Sequence, residues 1–304
     1  MINIMNKKLI SFICAISCSF LWGSAFIAQD MGMDYIGPFS FSAGRMLLGF
    51  IVLIPFFFIF EFKKIKKKNF SYNNILSYLT LLGFFLCGGF ALQQYSLLYT
   101  DVANSAIFTI FYVLIVPAIS YFLFSKKIHW SIWPSVFVCI IGGFLLTEID
   151  NVTVRLGDTL VLLGAFFWAF HIVYLSKFLK LFNYPIAITM GTCLIGSIIA
   201  FIPSLVFENI TLENLLMEKN ELLYAGVLSS GVGFLLQAYS QQNLSPAPVA
   251  IIFSLEGVFA AIFGWMILNQ FLNDLKIFGI ILILFAVIFS QLAPIYGRKS
   301  YGRN

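Results

Sequence analysis

Ten apolar runs, each about as long as a bilayer is thick, constrain this 304-residue chain more than any other feature of it. A helix rises 1.5 Å per residue and the hydrocarbon core is about 30 Å deep, so about 20 apolar residues cross it. The runs cover 9–28, 38–60, 74–97, 102–124, 131–147, 158–178, 185–207, 220–241, 246–268 and 275–293. In hydrocarbon every backbone N–H and C=O must find a partner within the protein, which leaves helices or a closed barrel. Barrel strands alternate apolar and polar residues over about ten positions, and these runs do not alternate. The expected fold is therefore an all-α membrane protein with ten transmembrane helices. Only 10% of the residues are charged, against about 25% in a soluble domain that must cover itself in water. The first run follows Lys7-Lys8 with no convincing small-residue cleavage site before Gln29, so it reads as an uncleaved spanning helix rather than a signal peptide.

Orientation follows from Lys and Arg, which are retained in cytoplasmic loops. An inside N-terminus puts fourteen of the eighteen basic residues in the cytoplasm, including Lys7, Lys8, Lys126, Lys127, Lys177, Lys180, Arg298, Lys299, Arg303 and the Lys63–Lys68 cluster. Arg155, Lys219 and Lys276 fall outside, and Arg45 lies within the second run. Both termini are thus expected in the cytoplasm of a multi-pass cell-membrane protein. The lysine cluster serves orientation and can face anionic lipid. The net charge of +5 comes from short clusters between apolar runs, not from one basic face, so no nucleic-acid partner is expected. Cys14, Cys18, Cys87, Cys139 and Cys193 all fall inside apolar runs without His or carboxylate at ligand spacing. They read as buried thiols, with neither a disulfide framework nor a metal site.

The chain also repeats itself. Residues 89–96 read Gly-Phe-Ala-Leu-Gln-Gln-Tyr-Ser and residues 233–240 read Gly-Phe-Leu-Leu-Gln-Ala-Tyr-Ser, an offset of 144 at which Ala106 also meets Ala250. Trp22 and Trp168 occupy lead helices, with Pro38 and Pro185 opening the next helix 16 and 17 residues later. Two related units are expected, 1–150 and 151–304, each with five helices. Because five is odd, the second unit enters the membrane from the opposite side. Inverted repeats of this kind recur in alternating-access carriers, which hold their substrate near the midplane between the halves.

On these residues the chain resembles the ten-helix exporters of the drug/metabolite transporter superfamily, which carry two EamA domains. The resemblance is carried by Trp22-Gly23-Ser24-Ala25-Phe26, by Gly37-Pro38 followed by Arg45, by the stretch Ser105–Pro117, and by Ser254-Leu255-Glu256 running into Val258-Phe259-Ala260-Ala261. It departs from the family pattern at Lys126-Lys127, at Asn269-Gln270 and at Gly257. The resemblance implies export and amino acids or related small metabolites as solutes; with the inverted repeat and the buried acid Glu256, the expected function is a proton-coupled secondary transporter working by alternating access.

Ionisable groups inside a bilayer are costly and default to functional candidates. Three lie deep within the runs, away from their ends: Arg45, His171 and Glu256. Helix rise places Glu256 near mid-membrane, Arg45 about 5 Å nearer the outside and His171 about 5 Å nearer the cytoplasm. Glu256 can exchange a proton or hold a cationic group, or it can lock helices together in a pair with Arg45. Arg45 can grip a carboxylate with its fork or cap carbonyls near its helix end. His171 is either a proton-exchanging group or a hydrogen-bonded packing residue among Phe166, Phe167, Trp168 and Phe170. Trp22 and Trp168 can wall a cavity and stack on an apolar or cationic solute. Gln93, Tyr95, Asn104, Gln237 and Tyr239 complete the candidate polar lining, with helix packing as the competing role for each. Gly83, Cys87, Gly88 and Gly89 in one half, and Gly226, Ser229, Ser230 and Gly233 in the other, read as small faces for close helix approach.

Other classes remain open. Aromatics around one buried acid also suit import of a quaternary amine such as choline. An uncoupled channel needs none of the buried charges. A lipid-modifying enzyme would need a nucleophile–base pair or metal cluster at one membrane face, which the sequence does not offer. It also lacks G-x-x-x-x-G-K-[ST], G-x-S-x-G and H-E-x-x-H, so neither ATP hydrolysis nor the commonest hydrolytic chemistries are expected, and no cofactor is called for.

Overall fold

A computed structural model describes residues 2–67, 72–100, 102–146 and 156–300. The side chains of Asn104, Arg298 and Lys299 lie outside the described residues, as do Lys68, Arg155, Arg303 and the division at 150.

Among the described residues every regular element is helical, as the need to satisfy the backbone in lipid dictates. The order begins with α1 (Ile2–Met31), α2 (Pro38–Phe60), the short α3 (Phe62–Lys66) and α4 (Tyr72–Ser96). The next run is broken at Phe111 into α5 (Val102–Ile110) and α6 (Tyr112–Phe122). Then come α7 (Ile132–Leu146), α8 (Leu156–Leu181) and α9 (Pro185–Phe207). Two short helices, α10 (Leu212–Met217) and α11 (Lys219–Leu223), lead into a π-helical stretch, Tyr224–Gly233, that continues as α12 (Phe234–Asn243). The following run is broken at Ser254 into α13 (Pro246–Phe253) and α14 (Leu255–Leu268), and α15 (Asp274–Ser300) closes the fold. Nine apolar helical runs are long enough to cross a membrane among the described residues. The tenth, α7, has 15 residues and is about 22 Å long at the usual rise.

Three departures from unbroken spans matter for function. The breaks at Phe111 and Ser254 are tight turns in which Phe111 N–H bonds Phe108 C=O and Gly257 N–H bonds Ser254 C=O. The 220–241 run, expected as a plain α-helix, widens to π geometry over Tyr224–Gly233. Hydrophobic length gives no sign of such changes, because they alter hydrogen-bond spacing without altering apolarity. At its end α14 stops on Asn269 with φ 53°, the left-handed conformation in which asparagine closes helices.

α2 and α9 lie along each other, as do α7 and α15. α4 packs on α8 and α9; α1 packs on α12, α14 and the π stretch, which also packs on α2; and α8 packs on α5 and α6. Pro38 and Pro185 start α2 and α9, where a missing N–H costs nothing. The other free N–H groups of those first turns are met by carboxylates. Glu208, just past the end of α9, accepts from Phe39 N–H (2.8 Å), Ser40 N–H (2.7 Å) and the Ser40 hydroxyl. Glu61, just past the end of α2, accepts from Ile186 N–H (3.2 Å) and Ala187 N–H (2.8 Å). The two helices are therefore antiparallel, and each one's trailing glutamate caps the other. Burial pushes the Glu61 carboxyl above the usual carboxylate range, opposed by those two N–H groups and Lys64.

Candidate functional site

In the middle of the bundle α1, α2, α4, α8, α12, the π stretch and the two broken runs line a cavity. Six of the residues singled out from sequence line it: Trp22, Arg45, Gln93, Trp168, Gln237 and Glu256. His171 stands one layer away, lining a smaller neighbouring pocket. Tyr95 and Tyr239 do not line either one. Tyr95 stacks on Phe39 at 6.0 Å and reaches the Tyr99 hydroxyl at 3.4 Å.

Arg45 is 1% exposed and is held from two sides. Its Nε donates to Ser230 Oγ (3.0 Å) and its Nη2 to Ser229 Oγ (2.8 Å). Its guanidinium carbon lies 4.0 Å from the centre of the Phe90 ring, a favourable cation–π placement. Consecutive residues 229 and 230 can both serve it because they stand on the π stretch, where neighbouring side chains are splayed less widely than on an α-helix. The remaining nitrogen, Nη1, has no partner.

Glu256 is 4% exposed and lies in the first turn of α14, just beyond the break. That end of a helix carries unsatisfied N–H groups and favours negative charge. Its Oε1 accepts from the Tyr112 hydroxyl at 2.9 Å. Tyr112 is the first residue of α6, just beyond the other break, and precedes Glu256 by 144 positions. The bond thus joins equivalent positions of the sequence repeat. Arg45 and Glu256 are each bonded to neutral hydroxyls, so the locking pair considered from sequence does not form.

Aromatic rings make the wall. Phe234 lies 5.0 Å from Trp22, 5.5 Å from Phe90 and 6.0 Å from Trp168. The two glycines that open the repeated octapeptides make this possible. A Cβ on Gly89 would fall 2.7 Å from the Trp168 ring, and one on Gly233 would fall 3.0 Å from Trp22 Nε1. Each glycine makes room for the tryptophan of the other repeat unit.

Most buried polar groups in proteins have hydrogen-bond partners, and this cavity gathers exceptions. Trp22 Nε1, Trp168 Nε1, Arg45 Nη1, Gln29 Oε1 and both amide atoms of Gln237 are buried without partners. Gln93 differs: its Nε2 donates to Thr109 Oγ1 (2.8 Å), and Thr109 donates onward to Ser105 C=O (2.8 Å). His171 packs edge-on against Trp168 and Phe234. Its Nδ1 has no partner, which departs from the hydrogen-bonded packing role.

Sequence reasoning missed Tyr112, Phe234, Ser229, Ser230 and Gln29. The offset of 144 already paired Tyr112 with Glu256 and could have exposed it. The two serines carried no such signal, because a π stretch rather than a pattern of residue types turns them inward.

The EamA-like transporter family matches residues 9–148 and 155–292. This chain belongs to that family. It is 28% identical to an uncharacterized transporter of Archaeoglobus fulgidus over 90% of this chain and 82% of that one. It is 24% identical to the uncharacterized transporter YoaV of Bacillus subtilis, over 88% and 92%. A WAT1-related chloroplastic protein of Arabidopsis thaliana is 23% identical over 90% of this chain and 67% of its own length. A solved crystal structure at 13% identity superposes with a TM-score of 0.78 over 93% of this chain and 96% of that one, a likeness of fold. As a member of the EamA family with nine apolar spans among its described residues, this is a multi-pass membrane protein of a transporter family.

Proposed function

We propose that this EamA-family protein is a secondary carrier for amino acids or related small zwitterions, working by alternating access between the cytoplasm and the outside. One observation carries the reading: a buried guanidinium and a buried carboxylate face one cavity without pairing with each other. A zwitterion answers both. Its carboxylate finds Arg45 Nη1 and the indole N–H donors, and charge-assisted bonds of that kind are the strong ones. Its ammonium finds Glu256 and the faces of the surrounding rings. A quaternary amine would use the acid and the aromatics but leave Arg45 unanswered, and that favours the zwitterion.

The proposed topology is ten crossings in two inverted units, 1–150 and 151–304, with both termini in the cytoplasm. The packing supports it, because exchanging the units leaves the pattern of neighbours in place. α4 on α8 becomes α12 and the π stretch on α1; α4 on α9 becomes the π stretch on α2; α8 on α5 and α6 becomes α1 on α13 and α14. The pairs α2–α9 and α7–α15 map onto themselves, and the caps from Glu61 and Glu208 change places. The fourth and ninth crossings are the broken ones, and discontinuous helices near the midplane are where such carriers bind solute.

Glu256 is proposed as the coupling group. A proton and the solute's ammonium compete for one carboxylate, which links their fluxes; export is the direction that the resemblance implies. Glu256→Gln tests this, since the amide oxygen still accepts from Tyr112 while the charge is gone. In proteoliposomes the variant should lose its response to an imposed pH gradient and retain solute–solute exchange at a reduced rate. A gradient response equal to that of the unmodified protein would remove the coupling role.

A further inference from the structure

A second, much smaller pocket lies beside the first, bordered by α4, α8, α9 and α12. Phe234 and Gln237 border both. Its origin is visible when the two repeat units are aligned. Pro38 and Pro185 are 147 apart, and at that offset Arg45 corresponds to Thr192. At the offset of 144, Phe90 corresponds to Phe234 and Gln93 to Gln237. In the first unit a guanidinium fills the space over the Phe90 ring. In the second unit the short Thr192 stands beside Phe234, and the equivalent space is a pocket.

Its lining sets His171, Thr189, Thr192 and Gln237 among apolar side chains and carries no Lys, Arg, Asp or Glu among the described residues. Three side chains that line it are 1–3% exposed and hold four atoms without partners: His171 Nδ1, Thr192 Oγ1, Gln237 Oε1 and Gln237 Nε2. Thr189 is already engaged, donating to Pro185 C=O at 2.8 Å. A charged group entering here would give up its hydration with no counter-ion to meet it. An aliphatic group would leave the four atoms unsatisfied, each at a cost in stability. A hydroxyl or carboxamide, donor and acceptor together, satisfies them.

We infer that this pocket is the side-chain subsite of the transported solute, and that it takes a neutral hydroxyl or carboxamide group while Arg45 and Glu256 hold the charged ends. The inference rests on the zwitterion reading above. Phe234 and Gln237, which face both cavities, mark where the two parts of the solute meet.

Threonine and valine have nearly the same shape and differ by one hydroxyl, so their flux ratio isolates the subsite. Uptake of each, labelled, into proteoliposomes of the full chain should favour threonine by about 10-fold or more, the effect of one buried hydrogen bond with its partner group left unmet. Thr192→Val should bring the ratio toward one, and Thr192→Ser, which keeps a hydroxyl, should preserve most of it. Melting temperature in detergent checks that each variant folds; if Thr192→Val does not, His171→Leu, read by the same ratio, takes its place. A ratio near one in the unmodified protein, or a ratio unchanged in folded Thr192→Val, overturns the subsite and leaves the zwitterion reading standing. Absence of flux for both amino acids, in protein that melts cooperatively, overturns the two together.

Discussion

The segments matched at 9–148 and 155–292 bring the same scaffold to opposite flanks of one cavity and put different chemistry on it. In the first, Arg45 is clasped by Ser229 and Ser230 and laid over Phe90, and Gln93 is bonded to Thr109. In the second, Thr192 and Gln237 occupy the equivalent places without partners. Tyr112 and Glu256 divide in the same manner, a phenol on one side donating to a carboxylate on the other. The first segment supplies a cation that serines of the second hold in place, and it bonds the Gln93 amide within itself while Trp22 Nε1, Gln29 Oε1 and Arg45 Nη1 stay without partners. The second leaves Thr192 Oγ1 and both amide atoms of Gln237 without partners at the places equivalent to Arg45 and Gln93. The two segments present matched surfaces, and the differences between them supply the charge asymmetry on which the proposed zwitterion reading rests.

Removing that asymmetry should have the largest effect. Arg45→Gln is expected to lower zwitterion transport by about 100-fold, the scale seen when one partner of a buried charged contact is deleted. Arg45→Lys should not restore it, because an ammonium cannot bond two serines and still present a planar donor to a carboxylate. Initial rates in proteoliposomes against solute concentration measure both; transport retained within a few-fold in either variant would dissolve the contrast between the two flanks.

At the two glutamate caps the segments differ only in degree. Glu208→Ala strips three bonds from the start of α2 and should cost about 1–2 kcal/mol, as lost helix caps do. Glu61→Ala strips two and should cost less. Because burial raises the Glu61 carboxyl, its contribution to stability is full below the unfolded value near about 4.3 and is lost as pH rises through the raised folded value. The melting temperature of Glu61→Gln should therefore gain on that of the unmodified protein between pH 4.5 and 7.5. A difference constant across that range would mean that burial does not govern this cap.

Much of this was legible in the residues. The length of the apolar runs dictated helices, and the octapeptides at 89–96 and 233–240 announced two related units. The cost of burying charge picked out Arg45 and Glu256, which do face one cavity. Trp22 and Trp168 followed from the repeat. What stayed hidden depended on how the chain is wound: the breaks at Phe111 and Ser254, and the π stretch that aims Ser229 and Ser230 at Arg45. Tyr95 and Tyr239 were singled out with the same repeated octapeptides as Gln93 and Gln237, two positions earlier. Two residues turn a helix by about 200°, which carries those rings to the opposite face from the cavity.

In the proposed mechanism Arg45 and Glu256 act together on the two ends of one zwitterion. Competition against labelled amino-acid exchange in proteoliposomes tests it most directly, using alanine, ethylamine and propionate as unlabelled competitors. Alanine carries both charges and each of the others carries one. Alanine should compete, and ethylamine and propionate, at equal concentration, should not. Competition by ethylamine or propionate as strong as that by alanine would contradict it.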